Sequence, residues 1–308
     1  MKNTENNVIL HFMQFPPENF ENLRQFSIMF RHGEIELDMG KKSLSALLIM
    51  VDNPDRVATS TISELATFVK ISPASITRLA KLLGFKGYQP FRQIFRQSAK
   101  IKTDYYSQRA VDIVHSTDFS PKEFLLKQAR STLDNIQQCL QNTTNEEIKK
   151  ICKLLAIKRN IFVFGHQQSS AIASILRYGL SLIRKNVQML GPSEHGVATA
   201  VGQMREGDLL IIISSSPYSH LTVDIASLAS KQGCQIIAIT DSKLSPLHER
   251  SCASINIATE GHYFTNSLAA NCILVESLLS LTAMELGQAA IDKLKQHEDL
   301  LSTLNVNA

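Results

Sequence analysis

Residues 61–88 read TISELATFVKISPASITRLAKLLGFKGY. Ile62, Leu65, Ala66 and Val69 recur at the spacing of one helical face. A turn at Lys70-Ile71 follows. Ser72 is placed to cap a second helix, with Pro73 at its first position. Ile76, Leu79 and Leu83 form that helix's buried face, and Gly84 ends it. Ala66 is small where the two helices cross, and Ile71 plugs the turn. This is helix-turn-helix grammar. The second helix then presents Ser75, Thr77, Arg78 and Lys81 outward, with Ser72 at its start. Hydroxyls and long cations are the groups that reach base edges and phosphates in a major groove. Gly84 and Gly87 supply freedom for a sharp turn. Lys86, between them, is placed at a phosphate. Arg92 and Arg96, one helical turn apart, are expected to extend the phosphate-facing surface.

Working outward, charge supports the same partner. Residues 41–102 hold eleven Lys or Arg and three acids, a net of +8, whereas the whole chain is +4. The remainder is therefore −4. A compact basic block on an otherwise acidic chain points to a polyanion, most often nucleic acid and here double-stranded DNA, with a solvated basic face as the alternative reading of charge alone. Flanking apolar stripes complete an all-helical domain. Leu44, Leu47, Leu48 and Val51 make one helix, ended by Asn53-Pro54. Phe91, Ile94 and Phe95 mark another. Phe26, Met29 and Phe30, stopped by Gly33, make a short helix that pads the domain. The helical domain is assigned to residues 1–103 and a linker to 104–124.

The second half changes period. Ser120-Pro121 starts a long helix to about Gln141, and Thr144 with Glu147 is a capping box for the next. From Asn160, short runs apolar on both faces appear: Ile161 to Phe164, Val187 to Leu190, Leu209 to Ile213, Gln235 to Thr240 and Ser254 to Ala258. Helical patterns at Ser170 to Arg184, Leu221 to Lys231 and Ser267 to Leu286 separate most of them. Alternation of this kind predicts a doubly wound parallel sheet. The fold class is thus α followed by α/β, with the α/β domain over 125–290 and a tail over 291–308. Ligands of such sheets gather where strands end and helices begin. Two loops stand out there. One carries Gly165, Gln167, Ser169 and Ser170. The other carries Ser214, Ser216 and Ser219. Serine hydroxyls beside helix N-termini suit a phosphate or another small anion, although serine is also an ordinary helix cap.

Composition narrows the remaining classes. A chain of 308 residues suits two domains, and 44% hydrophobic with 19% charged residues suits packed cores. Cys139, Cys152, Cys234, Cys252 and Cys272 are odd in number and form no CxxC pair, which disfavours a disulfide scaffold or zinc knuckle. No metal site or cofactor is expected. No apolar run approaches a membrane span, and Met1 to Val8 lacks a secretion pattern. A cytoplasmic protein is expected. Glu194, His195, His220 and His262 are the candidate bases for an isomerase, but no acid–base pair is visible by spacing, and no catalytic residue is assigned.

The stretch from Ile62 to Tyr88 resembles the N-terminal domain of the RpiR-type transcriptional regulators, whose pattern is close to S-I-x-E-L-A … V-S-x-A-T-V-x-R-F-x-K-x-L-G-x-x-G-[FY]. Lys70 departs from it where glycine is common, which implies a left-handed backbone there. The second half resembles the sugar isomerase (SIS) domain. Gly165 and Ser169 match its first loop. Ser214, Ser216 and Ser219 match its second. His195 falls where many members carry a histidine. Ile239 to Leu247 resembles the loop after the fourth strand. Gln167 and Pro217 replace glycines of the two loops, and Gln167 or Gln168 could instead offer amide contacts. The resemblance implies a homodimer or homotetramer on a near-palindromic operator, sensing a phosphosugar or other small anion. The alternatives are a phosphosugar isomerase with an appended helical domain, and a nucleic-acid binder whose SIS fold serves only for oligomerisation.

Overall fold

The computed structural model describes residues 16–31, 39–103, 105–115, 120–191, 196–243 and 245–305. The chain divides into two compact units, Met1–Gln108 and Arg109–Ala308.

The first unit is helical: Phe20–Arg31 (α1), Lys41–Asp52 (α2), Pro54–Thr59 (α3), Ile62–Val69 (α4), Pro73–Leu82 (α5) and Tyr88–Thr103 (α6). Its core draws on all six helices, including Leu23, Leu47, Val57, Leu65, Ile76 and Phe91. Helix α1 contributes directly: Leu23 and Phe26 are buried, and the rings of Phe20 and Phe95 lie 5.3 Å apart. Helix α3 was not anticipated. Pro54 was read only as the stop of α2, yet it stands at the start of α3 with Asp55 in the first turn.

The basic residues of α6 require a correction. Arg92 is buried, and its Nε and Nη2 donate to the carbonyls of Ala58 (3.2 Å) and Thr59 (3.0 Å). Arg96 Nε donates to the same Ala58 carbonyl, at 3.2 Å. Tyr88 adds a bond from its hydroxyl to the Ser60 carbonyl. These groups close the C-terminal end of α3, where carbonyls lack helical partners and a cation is favoured. Arg92 therefore supports the fold rather than a phosphate. Arg92→Met is expected to cost the first unit about 1.5 kcal/mol, the worth of a charge-assisted bond to carbonyls left unpaired. A lower urea midpoint for that unit would show it; an unchanged midpoint would contradict the assignment.

Tyr105–Val114 (α7) crosses the division between the units. In the second unit follow Pro121–Asn142 (α8), Asn145–Ile157 (α9), Ile161–Gly165 (β1), Ser169–Ile183 (α10), Val187–Met189 (β2), Gly196–Gln203 (α11), Leu209–Ile213 (β3), His220–Lys231 (α12), Gln235–Thr240 (β4), Ala253–Asn256 (β5), Ala269–Leu286 (α13) and Gln288–Thr303 (α14). All four strand pairings are parallel, in the order β2-β1-β3-β4-β5. Strand side chains alternate between two cores. Ile161, Val163, Leu209, Ile211 and Ile237 join α8, α9, α10 and α13 on one face. Phe162, Phe164, Leu210, Ile212 and Ile236 join α11 and α12 on the other. This is a three-layer α/β/α unit, and burial on both faces is why its strands read as continuous apolar runs.

Helix α13 is long and apolar enough to cross a membrane by length and composition, although polar residues interrupt its apolar runs. Here Ala270, Asn271, Val275, Leu278 and Thr282 are buried, and the helix packs on α9 and α10. One side of it joins the core of this unit, and Ile273, Leu281 and Met284 on it are exposed. Helix α14, in the segment read as a tail, packs against α10 and buries Ala290.

Candidate functional site

In the first unit, both helices of the motif begin with a side-chain cap. Thr61 and Glu64 form a capping box on α4, with the Thr61 amide donating to Glu64 Oε2 at 2.7 Å. Those hydrogen bonds hold the exposed Glu64 carboxyl below its ordinary range. Ser72 Oγ accepts from the Ser75 amide at 3.1 Å, and Pro73 occupies the first turn of α5. Lys70 adopts φ 57 and ψ 38, the left-handed conformation that a non-glycine there implies. The amides of Lys70 and Ile71 both donate to the Ala66 carbonyl, which closes α4. Gly84 takes φ 86 after α5, whereas Gly87 does not need a positive φ.

These contacts sort the candidate DNA contacts. The hydroxyl of Ser72 caps the helix and lies 2.8 Å from that of Ser75. Thr77 donates its hydroxyl to the Pro73 carbonyl at 3.1 Å. Arg78, Lys81 and Lys86 are exposed. The cations are thus the long groups that α5 and the turn after it present to solvent. The three hydroxyls are already engaged locally.

In the second unit, β1 and β3 are neighbours, with Gly165 opposite Ile213. From β1 the chain crosses to β2 on one side, and β3 opens the other side. The loops after β1 and β3 therefore meet at the topological switch point, where doubly wound sheets bind ligands. These are the two serine loops.

The first loop is shaped by backbone demands. A Cβ on Gly165 would sit 2.4 Å from the Ser169 carbonyl oxygen, so glycine is required for α10 to start this close to β1. Gln167 has φ 51. This is a left-handed conformation, carried by a residue with a side chain, and that side chain is exposed. Ser170 Oγ donates to the Gln167 carbonyl at 2.6 Å. Gln168 is spent internally: its Nε2 donates to Thr265 Oγ1 and to the Asn266 carbonyl, both at 2.7 Å. It does not offer the ligand amide considered from sequence.

The second loop is held by residues the sequence reading missed. Asp241, just after β4, accepts from the Ser216 amide (3.0 Å) and from the Tyr218 hydroxyl (2.6 Å). Asn266 Nδ2 donates to the Ser216 carbonyl at 2.8 Å. Pro217 has no amide to offer, and order comes from these side chains instead. The Ser214 amide donates to the Ile239 carbonyl, and Ser214 is buried. Ser219 stands at the N-cap of α12 without a side-chain cap bond, and the same holds for Gln168 at α10. By contrast, α4, α5, α8 and α9 are all capped by Ser or Thr side chains. Ordinary capping is therefore not the role of Ser219.

Among the described residues, His166 Nδ1, Thr222 Oγ1 and Asn256 Oδ1 are buried side-chain atoms without a hydrogen-bond partner. They follow β1, open α12 after the second serine loop, and end β5, so all three belong to the end of the sheet where the loops converge. Buried polar atoms without partners are uncommon and mark places that a polar ligand can satisfy. His195 and Glu194 lie outside the described residues. His220 is exposed at the start of α12. His262 is half-buried between elements, and burial together with Lys127 pushes its pKa down. The described residues contain no cluster of His, Cys, Asp and Glu able to hold a metal ion.

Comparison with known proteins matches both units. Residues 46–100 match the helix-turn-helix domain of the rpiR family, and residues 154–281 match the SIS domain. The chain belongs to the RpiR-type transcriptional regulators. An uncharacterised HTH-type transcriptional regulator of Haemophilus influenzae is 23% identical over 227 residues, covering 72% of this chain and 77% of the relative. The HTH-type transcriptional regulator RpiR of Escherichia coli is 26% identical over 188 residues, 60% of this chain and 61% of that protein. The Vibrio vulnificus NanR protein, complexed with ManNAc-6P, shares the fold with a TM-score of 0.54 at 23% identity, covering 91% of this chain and 99% of that one. The regulator is accordingly a DNA-binding transcription factor with a SIS domain.

Proposed function

We propose that this regulator binds a phosphosugar between its two serine loops and couples that binding to occupancy of a near-palindromic operator. Gly165 admits the first turn of α10, the hydroxyls of Ser169, Ser170, Ser214, Ser216 and Ser219 serve the phosphate, and Gln167 borders the opening. In the helix-turn-helix, Arg78 and Lys81 face the bases while Lys86 meets a phosphate; Ser72, Ser75 and Thr77 line the same surface. The observation that carries the reading is the meeting of both serine loops at the β1/β3 switch point, with His166 Nδ1 and Thr222 Oγ1 buried there and unpartnered. That the similarly folded NanR holds ManNAc-6P supports a sugar phosphate as the ligand class.

The regulator acts in the cytoplasm as a homodimer or homotetramer. Leu125 and Leu140 on α8 and Met284 on α13 are 70%, 66% and 76% exposed, a concentration of large apolar groups that suits self-association. The DNA-binding domain extends to about residue 103 and the SIS domain spans about 125–290. Reciprocal linkage requires the operator to change sugar-phosphate affinity by the same factor that the sugar phosphate changes operator affinity.

Thermal unfolding against a panel of phosphorylated sugars and sugar acids tests this. A true ligand at a hundred times its Kd adds about 2.7 kcal/mol, and the second unit is expected to melt about 5–10 °C higher. The combined Ser214→Ala and Ser216→Ala protein should lose that shift and keep DNA binding. A flat panel, or a shift that survives both substitutions, would overturn the site.

A further inference from the structure

The segment Thr259 to Ser267 connects more of the second unit than its length suggests. It is pinched at its base, where the Ser267 amide donates to the Thr259 carbonyl at 2.9 Å and both residues are buried. Helix α8 anchors one side: Asn135 Nδ2 donates to the Glu260 carbonyl at 2.7 Å, and Gln128 Oε1 accepts from the His262 amide at 2.8 Å. A Cβ on Gly261 would lie 3.0 Å from Gln128 Nε2, so the base lies tightly on α8. The tip touches both ligand loops. Gln168 of the first loop reaches Thr265 and Asn266, and Asn266 reaches Ser216 of the second. The Thr265 carbonyl also accepts from Arg109 Nη1 at 2.9 Å, and Arg109 Nη2 lies 3.8 Å from Glu260. Arg109 belongs to α7, the helix that continues from the first unit into the second.

We infer that Arg109 and Thr265 are the positioning residues through which the state of the two serine loops is passed to helix α7. Thr265 uses its hydroxyl toward Gln168 and its carbonyl toward Arg109, so one residue joins the ligand loops to the helix between the units. A displacement of Gln168 or Ser216 is passed to Thr265 and Asn266 through these bonds, while the base of the segment is held by the Thr259–Ser267 bond and by α8. Beside Arg109 lies a polar cavity of about 360 Å3, lined in part by Asp112, Lys127, Glu260 and His262. It gives the guanidinium a second, polar place to go when the Thr265 carbonyl turns away. Coupling by a chain of hydrogen bonds with two arrangements is how distant sites bias one another. The inference rests on the serine loops being the ligand site, yet its test uses no ligand.

The test is amide hydrogen exchange of the full-length protein alone, read by mass spectrometry for Thr265→Val, Thr265→Ser, Arg109→Gln and the Thr265→Val/Arg109→Gln pair. Thr265→Val removes one of the two acceptors of Gln168, the Thr265 hydroxyl, and leaves the Asn266 carbonyl and the carbonyl that Arg109 uses. Residues 105–114 are expected to exchange about three- to tenfold faster in Thr265→Val and in Arg109→Gln, the scale of one lost hydrogen bond. The double substitution should add nothing to Arg109→Gln, Thr265→Ser should restore the wild-type rate, and strands 161–165 and 209–213 should be unchanged. Wild-type exchange of 105–114 in Thr265→Val, additive effects, or a parallel rise in the strands would overturn the relay. A flat sugar-phosphate panel would instead overturn the ligand site, so the two failures are distinguishable.

Discussion

Gly165→Ala is expected to lower the melting temperature of the second unit by about 6–12 °C and to abolish any sugar-phosphate shift. The added Cβ would stand 2.4 Å from the Ser169 carbonyl oxygen, 2.6 Å from its carbon and 3.0 Å from the Ser170 nitrogen. All three are backbone atoms, so no side chain can swing away. Either the first turn of α10 withdraws from β1 or the end of β1 shifts within a fully buried strand. Overpacking of this severity costs about 3 kcal/mol, and a unit of this size loses about 2–4 °C per kcal/mol. Withdrawal of α10 also separates Ser169 and Ser170 from the second loop. Circular dichroism melts with and without the sugar phosphate measure both effects. A variant that melts with the wild type and keeps its ligand shift would show that the close approach does not govern the site.

Arg78→Ala is expected to weaken specific operator binding about 10- to 100-fold and to relax selectivity at one base pair, the value of about 1–3 kcal/mol for a good base contact. Arg78 is exposed on α5, and the buried residues Ile76, Leu79 and Ala80 hold that helix without it. Stability should therefore not change. Lys86→Ala provides the contrast, with a loss common to all sequences and a salt slope shallower by about one. Anisotropy titrations on genomic fragments selected by the wild-type protein, at several salt concentrations, separate the two patterns. Equal losses on specific and random DNA for Arg78→Ala would remove it from base reading.

Where local chemistry carried the information, the fold was legible. Ser72-Pro73 and Thr144 with Glu147 act through neighbours three residues away, and the structure has those caps. The five strands were readable because both faces of β1 and β3 are buried. Helices without a buried stripe escaped. Helix α7 buries no residue, α11 only Val201 and α14 only Ala290, so periodicity had nothing to report. Helix α3 is six residues long and lay under a proline read as a stop. In the site, the serine loops were legible as strand-to-helix junctions. Asp241, Thr265 and Asn266 were not, because their bonds to Ser216 and Gln168 span 25 to 98 residues. Arg92 was misread for the same reason: its carbonyl partners are 33 and 34 residues upstream.

The alternation of strand side chains between two cores has a consequence for how this chain can change over time. Ile211 packs among the groups of α10 and α13, whereas its neighbour Ile212 packs among those of α11 and α12. A sheet of hydrogen-bonded backbone separates the two sets, so a change of volume on one side has no side-chain neighbour on the other. Substitutions on opposite sides should behave independently, since energetic coupling fades between groups that share no partners. The layer that exposes α8 and α13 can thus drift toward new assemblies while the layer under α12 keeps its packing, and the divergence of relatives need not be uniform through the domain.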